Sequence, residues 1–357
     1  MNTWGERFKV SIFGESHGKA IGAVLDGVPS GTELDEEYIK MRMDRRRPGK
    51  NLMSTTRVEG DRVKIVSGFV NGKTTGTPMC GIIENRDMRS KDYQGELMRP
   101  GHADYTAYVK YGESRDFRGG GHFSGRITAP LVFAGAVAEQ VLKKYSVTIG
   151  THIYRVGDVY DTPFDPVSTD INALNDLEKM DFPVLNSEAG EKMREEIDRS
   201  RLSADSVGGI LECAICGLPA GVGSPFFGSV ESRLSSMMFS IPAVKGIEFG
   251  KGFGFAGMHG SEANDEFYIE NGQVKTRTNN NAGINGGITN GMPIIFRLAI
   301  KPTASIGQAQ NSIDIEKMEN TEIKIHGRHD PCIVHRAASV VSAAAAITVL
   351  DMILGEA

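Results

Sequence analysis

The chain has 357 residues and a formal net charge of −5, with a pI near 6.0. This length can bury one large core, and the modest negative charge excludes a global attraction to nucleic acid or anionic membranes. Any anion site must therefore be local. The start of the chain, MNTWGERFKV, lacks the apolar segment of a secretion signal. With four cysteines, of which only Cys213 and Cys216 lie close together in sequence, we expect a reducing cytoplasm.

The N-terminal region predicts two strands followed by a helix. Apolar alternation over residues 8–13 and 20–27 is typical of strands, and the intervening GESHG sequence (residues 14–18) is typical of a tight turn. Asp35 is placed to cap a helix over residues 33–43.

Two hairpins and two helical regions are predicted next. NGKTT joins strands over residues 61–70 and 76–85, and a second hairpin covers residues 267–277. Residues 129–144 predict an amphipathic helix, and residues 176–201 predict an exposed, acidic helical insert. Further strands are expected at residues 207–217, 244–250, 294–301 and 321–326.

The alanine-rich run over residues 337–354 is long enough to suggest a membrane span. It contains Ser339, Ser342 and Thr348, with Asp351 near its end, so we interpret it as a helix buried in protein. Strands grouped in hairpins, without one helix after each, favour an antiparallel α+β fold over a doubly wound sheet. No linker divides the chain, and we expect one domain over residues 1–357.

Four polar, glycine-punctuated segments interrupt these patterns and are expected to be loops that carry the functional groups. They are GESHG at 14–18, DRRRPGK at 44–50, residues 99–126, and GRHDPCIVHR at 327–336.

Metal binding and thiol catalysis are both poorly supported. No histidine pair has helical His-x-x-x-His spacing with a third ligand nearby, and Cys213 and Cys216 would face opposite sides of a strand. Cys332 and His335 have helical spacing, but a lone cysteine entering an apolar helix is more often a core residue.

Arginines beside glycine or proline turns indicate an anionic ligand, because planar guanidinium groups bind phosphate and carboxylate well. They are Arg45, Arg46, Arg47, Arg118, Arg126, Arg328 and Arg336. A solvated charge run remains the alternative for DRRRPGK. The glycine clusters RGGGHFSGR and NNNAGINGGITNG let the backbone approach a ligand or serve as plain turns, and neither matches the dinucleotide fingerprint of a Rossmann fold.

Six separated motifs, FGESHG, DRRRPG, RPGHADY, FRGGGHFSGR, KPTASI and GRHDPC, occur in an order and spacing that resembles chorismate synthase from end to end. The resemblance implies a β-α-β sandwich of antiparallel sheets enclosing helices, assembled as a homotetramer. It also implies a lyase of the shikimate pathway that converts 5-enolpyruvylshikimate 3-phosphate to chorismate by 1,4-anti elimination. Reduced FMN would be required without net oxidation.

The resemblance assigns the catalytic roles to His17, His102 and Asp330. One histidine is expected to serve the protonation state of the reduced flavin and the other to assist the departing phosphate, tasks that suit a group with a pKa near neutrality. Asp330 matches the aspartate implied in removal of the ring proton. Followed by Pro331, it is also a candidate helix N-cap.

Substrate carboxylates and phosphate would be bound by Arg45, Arg46, Arg328 and Arg336. Arg46 also aligns with a position of NADP contact. The positions implied in flavin binding are Arg46, His122, Phe123, Ser124, Arg126, Pro242, Ala243, Gly286, Lys301, Pro302, Thr303, Ala304, Ser305 and Arg328.

Some positions depart from the family pattern. His122 and Phe123 replace an arginine and a serine, His335 stands where proline is usual, and Leu52 replaces an arginine implicated in NADP contact. With no dinucleotide fingerprint, NADPH is expected to act indirectly, through an external flavin reductase. Two other readings remain open: a non-catalytic module that binds a phosphometabolite or nucleotide, and an RNA-binding protein that uses DRRRPGK.

Overall fold

A computed structural model describes residues 1–48, 60–86, 95–325 and 330–356. The α-helices in these ranges are α1 (Glu36–Arg46), α2 (Asp104–Tyr111), α3 (Thr128–Leu142), α4 (Ile171–Leu177), α5 (Ser187–Leu202), α6 (Val230–Met238), α7 (Gly260–Ala263) and α8 (Val334–Glu356). The strands are β1 (Thr3–Trp4), β2 (Lys9–Gly14), β3 (Ala20–Asp26), β4 (Val63–Ser67), β5 (Phe69–Val70), β6 (Lys73–Thr74), β7 (Met79–Glu84), β8 (Thr148–Val156), β9 (Val159–Tyr160), β10 (Gly209–Cys216), β11 (Val244–Phe249), β12 (Phe267–Glu270), β13 (Gln273–Thr276), β14 (Ile284–Asn285), β15 (Ile288–Thr289), β16 (Ile294–Ile300), β17 (Ala309–Asp314) and β18 (Glu319–Lys324).

The strands form two five-stranded sheets and several small hairpins. The first sheet has the order β1-β2-β3-β7-β4, and the second has the order β11-β16-β10-β8-β9. Every pairing within them is antiparallel. The predicted α+β class, with antiparallel sheets enclosing helices, is confirmed.

Helices α3 and α8 fill the space between the two sheets. The ring of Phe133 on α3 lies against Gly81 of β7, and Ser342 on α8 donates a 2.8 Å hydrogen bond to Thr151 of β8. Where the two helices meet, Gly135 lies directly against the backbone of Ala343. The absence of a Cβ at Gly135 therefore sets how closely the two halves of the sandwich approach.

The predicted amphipathic character of residues 129–144 is wrong. Apart from Glu139, every residue of α3 is buried, because the helix contacts a sheet on one side and α8 on the other. Helix α8 is long and apolar enough to cross a membrane, but 94% of its apolar window is buried within the protein. It is a core helix, as predicted, and its position fits a soluble protein.

The predicted acidic insert at residues 176–201 is only partly helical. Helix α4 ends at Leu177 and α5 starts at Ser187, with Pro183 in the segment between them. Nor is the insert fully exposed, because Met193 and Ile197 of α5 are buried.

The other predicted strands and hairpins are confirmed over the described residues; the end of the predicted strand 321–326, residue 326, lies outside them. The cap of α1 is also confirmed, because Asp35 Oδ1 accepts hydrogen bonds from the backbone N–H groups of Glu37 and Tyr38. Strand β8, which lies between β10 and β9 in the second sheet, has no counterpart in the sequence prediction. Gly150 and the buried polar residues Thr151 and His152 conceal its apolar pattern.

We predict that Gly135→Ala destabilises the protein although alanine favours helix. The new Cβ would lie 2.2 Å from Ala343 Cβ and 2.4 Å from its Cα. Overpacking of this kind costs about 1–3 kcal/mol, which exceeds the helix-propensity gain of about 1 kcal/mol. Urea denaturation measures the difference. Gly355→Ala, in α8 with no atom within 4 Å of the added Cβ, is the matched control and should not lower stability; equal stability of the two variants would contradict the close contact.

Candidate active site

The GESHG turn (residues 14–18) packs against a second loop, residues 118–126, which we call the glycine loop. Ser16 N donates a 3.0 Å hydrogen bond to the Gly121 carbonyl, and His122 Nδ1 donates a 2.8 Å hydrogen bond to the Gly14 carbonyl. Gly119, Gly120 and Gly121 all have positive φ, a conformation that other residues rarely adopt. Three consecutive glycines thus let the loop fold against the turn.

Both candidate histidines lie beside this glycine loop. A Cβ on Gly119 would be 2.6 Å from His17 Nε2, and a Cβ on Gly120 would be 3.5 Å from His102 Nε2. Since adjacent Cα atoms are 3.8 Å apart, the two Nε2 atoms are separated by at most about 13 Å. The imidazoles of His17 and His102, 85 positions apart in sequence, therefore lie on the same side of the fold.

His102 belongs to a short turn, residues 99–104, that leads into α2. Its Nδ1 donates to Asp104 Oδ1 over 2.7 Å, and Arg99 binds both oxygens of the same carboxylate, at 2.6 and 2.8 Å. Burial raises the pKa of Asp104, but the hydrogen bonds from Arg99 and His102 outweigh it and hold that pKa well below its usual range. The carboxylate is therefore ionised and accepts both hydrogen bonds.

The same turn is tied to residues 301–305, which follow β16. Arg99 Nη1 donates to Ser305 Oγ over 3.3 Å, and Lys301 Nζ donates to the Gly101 carbonyl over 2.5 Å. Two residues before Ser305, Thr303 Oγ1 donates to the backbone carbonyl of Asp330 over 2.8 Å. Residues 301–305 thus join His102 to the third catalytic candidate.

Asp330 is held by α8. Its Oδ2 lies 2.9 Å from Arg336 Nη1, and its side chain is 17% exposed. Helix α8 starts only at Val334, so the alternative prediction of Asp330 as the N-cap, with Pro331 as the first helical residue, is wrong. The carboxylate is oriented by the side chain of an arginine in the first turn of the helix.

From Arg336 a polar network runs back to the GESHG turn. Arg336 Nε donates to the Arg46 carbonyl over 3.1 Å, and Arg46 and Arg126 both bind the carboxylate of Asp61. Arg126 Nε donates to Asn85 Oδ1 over 3.0 Å. Asn85 in turn donates to the carbonyls of residues 15 and 18 over 3.0 and 2.8 Å. The loops that carry His17, His102 and Asp330 are therefore connected to one another through described hydrogen bonds.

Asp61 is the centre of this network. Its side chain is fully buried, and burial alone would raise its pKa, but Arg46 and Arg126 lower that pKa to about 2. Arg46, Arg126 and Arg336 face two carboxylates, Asp61 and Asp330. Three positive groups minus two negative groups leave one positive charge in this part of the described chain, which favours an anionic ligand.

The two other arginine candidates have different positions. Arg45 leaves α1 on another side, where its Nη1 lies 3.0 Å from Glu178. Burial lowers the pKa of Arg45 to about 9, and its only close carboxylate contact among the described residues is this one. Arg328 lies outside the described residues, as does Leu52.

The flavin candidates form two groups and one separate position. His122, Phe123, Ser124 and Arg126 lie in the glycine loop. Residues 242 and 243 adjoin residues 301–305, because Lys301 N donates to the Ala243 carbonyl over 3.0 Å. Gly286 lies in the β14–β15 hairpin, whose next residue, Gly287, packs against Ser229.

The cysteines take structural positions. Burial raises the pKa of the Cys332 thiol to about 12 and lowers the pKa of His335 to about 4. Both side chains are buried in the core, so a nucleophilic pair is not supported. Cys213 and Cys216 lie in two different apolar clusters, on opposite faces of β10. No group of three or more metal-ligating side chains occurs in the described ranges.

Sequence reasoning missed Asp61, Asn85 and Asp104, each of which orients a candidate residue. Asp104 could have been found, because it follows His102 by two positions in RPGHADY. Nothing in the local sequence marks Asp61 or Asn85, since their partners are distant in the chain.

Comparison with known proteins identifies the constellation. The family model described as chorismate synthase matches residues 8–354. The chain belongs to the chorismate synthase family. It is 43% identical over 368 residues to the chorismate synthase of Methanocaldococcus jannaschii, covering 99% of this chain and 96% of the relative. It is 44% identical over 354 residues to that of Methanobrevibacter smithii, covering 98% and 95%.

A crystal structure of chorismate synthase superimposes with a TM-score of 0.78 at 28% identity, covering 99% of this chain and 93% of that one. The predicted family and fold are confirmed. The protein is a chorismate synthase by family and therefore an enzyme, a carbon–oxygen lyase of aromatic biosynthesis. The alternative of a non-catalytic binding module is not supported.

We predict that Gly119→Ala lowers kcat about 100-fold, the scale of loss expected when a reacting group is displaced by about 1 Å. The new Cβ would lie 2.6 Å from two ring atoms of His17. Gly112→Ala is the matched control, because Gly112 has nearly the same φ (+63° against +60°) but no atom within 4 Å of an added Cβ. Steady-state kinetics and melting temperatures of both variants measure the effect. Equal kcat values would show that His17 does not depend on this contact.

A second prediction concerns Asp61→Asn. Two buried arginines would lose their counter-charge, which costs about 3–5 kcal/mol of unfolding free energy at neutral pH. Because the folded pKa is lowered from 3.8 to about 2, the stabilisation is complete above about pH 4 and is lost as the pH falls toward 2. The difference between wild type and variant should therefore shrink over that window.

Urea denaturation between pH 2 and 7 measures this difference. Asp198→Asn, which removes an exposed pair with Arg201, is the control and should change stability by at most about 1 kcal/mol. A pH-independent difference for Asp61→Asn would contradict an ionised, doubly paired Asp61.

Proposed function

We propose that this chain converts 5-enolpyruvylshikimate 3-phosphate to chorismate by 1,4-anti elimination, with reduced FMN bound beside the glycine loop and residues 301–305. The observation that carries the proposal is the polar network that joins His17, His102 and Asp330 across distant parts of the sequence. In the reaction, the carbon–oxygen bond breaks with its electron pair going to phosphate. A ring C–H bond supplies the electrons of the new double bond.

The residues present fit a flavin. Phe123 is 41% exposed, and its ring centroid lies 6.3 Å from that of Tyr111, so an aromatic surface adjoins the glycine loop. A backbone without side chains at residues 119–121 permits close approach, and Lys301 supplies a cation. We propose that His122, Ser124, Arg126 and residues 242–243 and 301–305 hold the cofactor, with Gly286, Arg46 and Arg328 as further contacts. When bound, reduced FMN supplies electron density to the substrate without net oxidation.

Each polar residue then has a defined task. Arg46 and Arg336 place positive charge where the substrate phosphate and carboxylates would lie, and this charge stabilises the departing phosphate. We propose Arg45 and Arg328 as further carboxylate or phosphate contacts. Arg45 would have to exchange its contact with Glu178 for the ligand.

Proton transfers are assigned to three side chains. Asp330, oriented by Arg336, accepts the ring proton. One of His17 and His102 protonates the departing phosphate, and the other maintains the protonation state of the cofactor. The two imidazoles lie at adjacent residues of the glycine loop, which suits a division of labour over one bound pair of ligands.

We further propose that the 38.6 kDa chain assembles as a homotetramer and acts in the cytoplasm as a single domain. Phe226, Phe227 and Phe253 are 85%, 96% and 88% exposed, and such aromatic surface is typical of an interface. The apolar core includes residues of both sheets and of the helices between them, which supports one domain over residues 1–357. Sedimentation velocity decides the oligomeric state.

The reductant is proposed to be external. The chain has no dinucleotide fingerprint in strand-to-helix context, so NADPH would act through a separate flavin reductase.

An anaerobic assay of chorismate formation with pre-reduced FMN tests the function. Wild type should turn over with reduced FMN and not with oxidised FMN, and NADPH with oxidised FMN should not replace the reduced cofactor. His17→Ala, His102→Ala and Asp330→Ala should each lower kcat by about 10²–10⁴-fold, the usual contribution of acid–base catalysis.

Glu188→Gln, which removes only an exposed ion pair with Lys192 on α5, serves as the activity control. Full turnover by wild type with only oxidised FMN would refute the cofactor assignment. Undiminished turnover by a histidine or Asp330 variant would refute the role of that residue.

A further inference from the structure

Asp104 and Arg99 contact the Nδ1 edge of the His102 ring, and the opposite edge faces the glycine loop. Nδ1 lies 2.7 Å from Asp104 Oδ1 and 3.1 Å from Arg99 Nη2. Nε2, on the opposite edge of the imidazole, and the adjacent Cε1 face Gly120, each 3.5 Å from the position of a Cβ added there. A small cavity between the turn and the glycine loop is lined by His102, Asp104, Gly120 and Phe123, among others.

The proton on Nδ1 follows from the chemistry of its neighbours. An arginine guanidinium only donates hydrogen bonds, and an ionised carboxylate only accepts them. The 2.7 Å contact with Asp104 therefore requires a hydrogen on Nδ1, and Arg99 satisfies the carboxylate on both oxygens and does not donate to the ring. With Nδ1 protonated, Nε2 is the atom that gains or loses a proton.

Arg99 has an opposing electrostatic effect. A lone carboxylate would favour the imidazolium, whereas a guanidinium at 3.1 Å from the ring disfavours it. The three groups are little exposed, at 14%, 20% and 12% for the side chains of Arg99, His102 and Asp104. Limited solvent leaves these interactions only partly screened.

We propose that Asp104 is a positioning residue that fixes His102 with Nε2 toward the glycine loop, and that Arg99, on the same carboxylate, keeps the imidazole able to release its proton. The proposal rests on the function proposed above for His102. It adds that the proton affinity of His102 is set by a balance of two opposite charges, neither of which touches the substrate.

Other charged groups around His102 are the same in every comparison below. Lys301 contacts the Gly101 carbonyl, Arg115 donates to the carbonyls of residues 95 and 112, and Asp116 pairs with Arg118. His17 lies on the far side of Gly119. Differences between variants at positions 99 and 104 therefore report on the pair itself.

The decisive experiment is titration of His102 by ¹⁵N NMR in the ligand-free protein, with Asp104→Asn and Arg99→Gln. Asp104→Asn removes the negative charge, so the pKa of His102 should fall by about 1 unit. Arg99→Gln removes the positive charge, so the pKa of His102 should rise by about 1 unit. In wild type the neutral ring should carry its proton on Nδ1, and in Asp104→Asn this preference should weaken.

Kinetics provide the second readout. Asp104→Asn should lower kcat at least about 10-fold, within the range of acid–base contributions, with little change in KM. The limb of the pH–kcat profile that reports His102 should move in opposite directions in the two variants. Arg99→Lys retains the positive charge and should keep the limb near its wild-type position.

Asp158→Asn, which removes an exposed aspartate paired with Arg155, is the control and should change neither readout. Shifts of the same sign in Asp104→Asn and Arg99→Gln, or no shift in either, would overturn the proposal. Should Asp104→Asn fail to fold, the rise predicted for Arg99→Gln still decides the question. The titration needs neither substrate nor flavin. It can therefore contradict the positioning proposal while chorismate is still formed, and it can agree with that proposal while no chorismate is formed.

Discussion

The close contact of α3 with α8 determines how the rest of the fold is arranged. Gly135 allows the backbone of Ala343 to approach directly, and each helix carries one sheet on its outer side. Helix α3 starts immediately after the glycine loop, and α8 starts four residues after Asp330. A contact deep in the core thereby brings the segments before two helices to the same end of the molecule. The positive ends of both helix dipoles reinforce the charge of the arginines there.

Buried arginines are the unusual part of this design. Helix α1 turns Ile39 and Met43 inward together with Arg42 and Arg46, whose side chains are at most 2% exposed. Burial of a guanidinium is costly unless it is paired and hydrogen-bonded. Arg46 meets that requirement at Asp61, and Arg42 meets it at Glu139 and Glu178. The arginines that provide positive charge for an anionic substrate are thus held in ion pairs that also connect loops.

How much the sequence predicts depends on the distance over which each interaction acts. The cap at Asp35, the hairpins and the buried C-terminal helix follow from neighbours in the chain, and all are found in the structure. The burial of α3 on every side could not be predicted, because it depends on a partner about 200 residues away. Strand β8 was missed for a related reason: its polar residues are satisfied by distant partners, as when His152 binds Glu212 and Thr151 binds Ser342.

The site shows the same limit. Motifs place His17, His102 and Asp330 in loops, and the family resemblance supplies their roles. Sequence alone does not show that Asp61 joins Arg46 of α1 to Arg126 of the glycine loop, since that contact exists only after α1 and α3 have packed. The misassigned cap at Asp330 has a local cause, because Asp-Pro is typical of a helix start, whereas the helix begins later, at Val334.

The glycine loop also has a consequence for how this gene can vary. Every glycine codon has the form GGN, so each missense change of one nucleotide introduces a residue with a Cβ. At Gly119 that atom would meet the ring of His17, and at Gly121 it would lie 1.9 Å from the Asp116 carbonyl oxygen. Among single-nucleotide changes at these two codons, only silent third-base changes leave those contacts unaltered, whereas the side chain of nearby Phe123 is partly exposed at the loop surface.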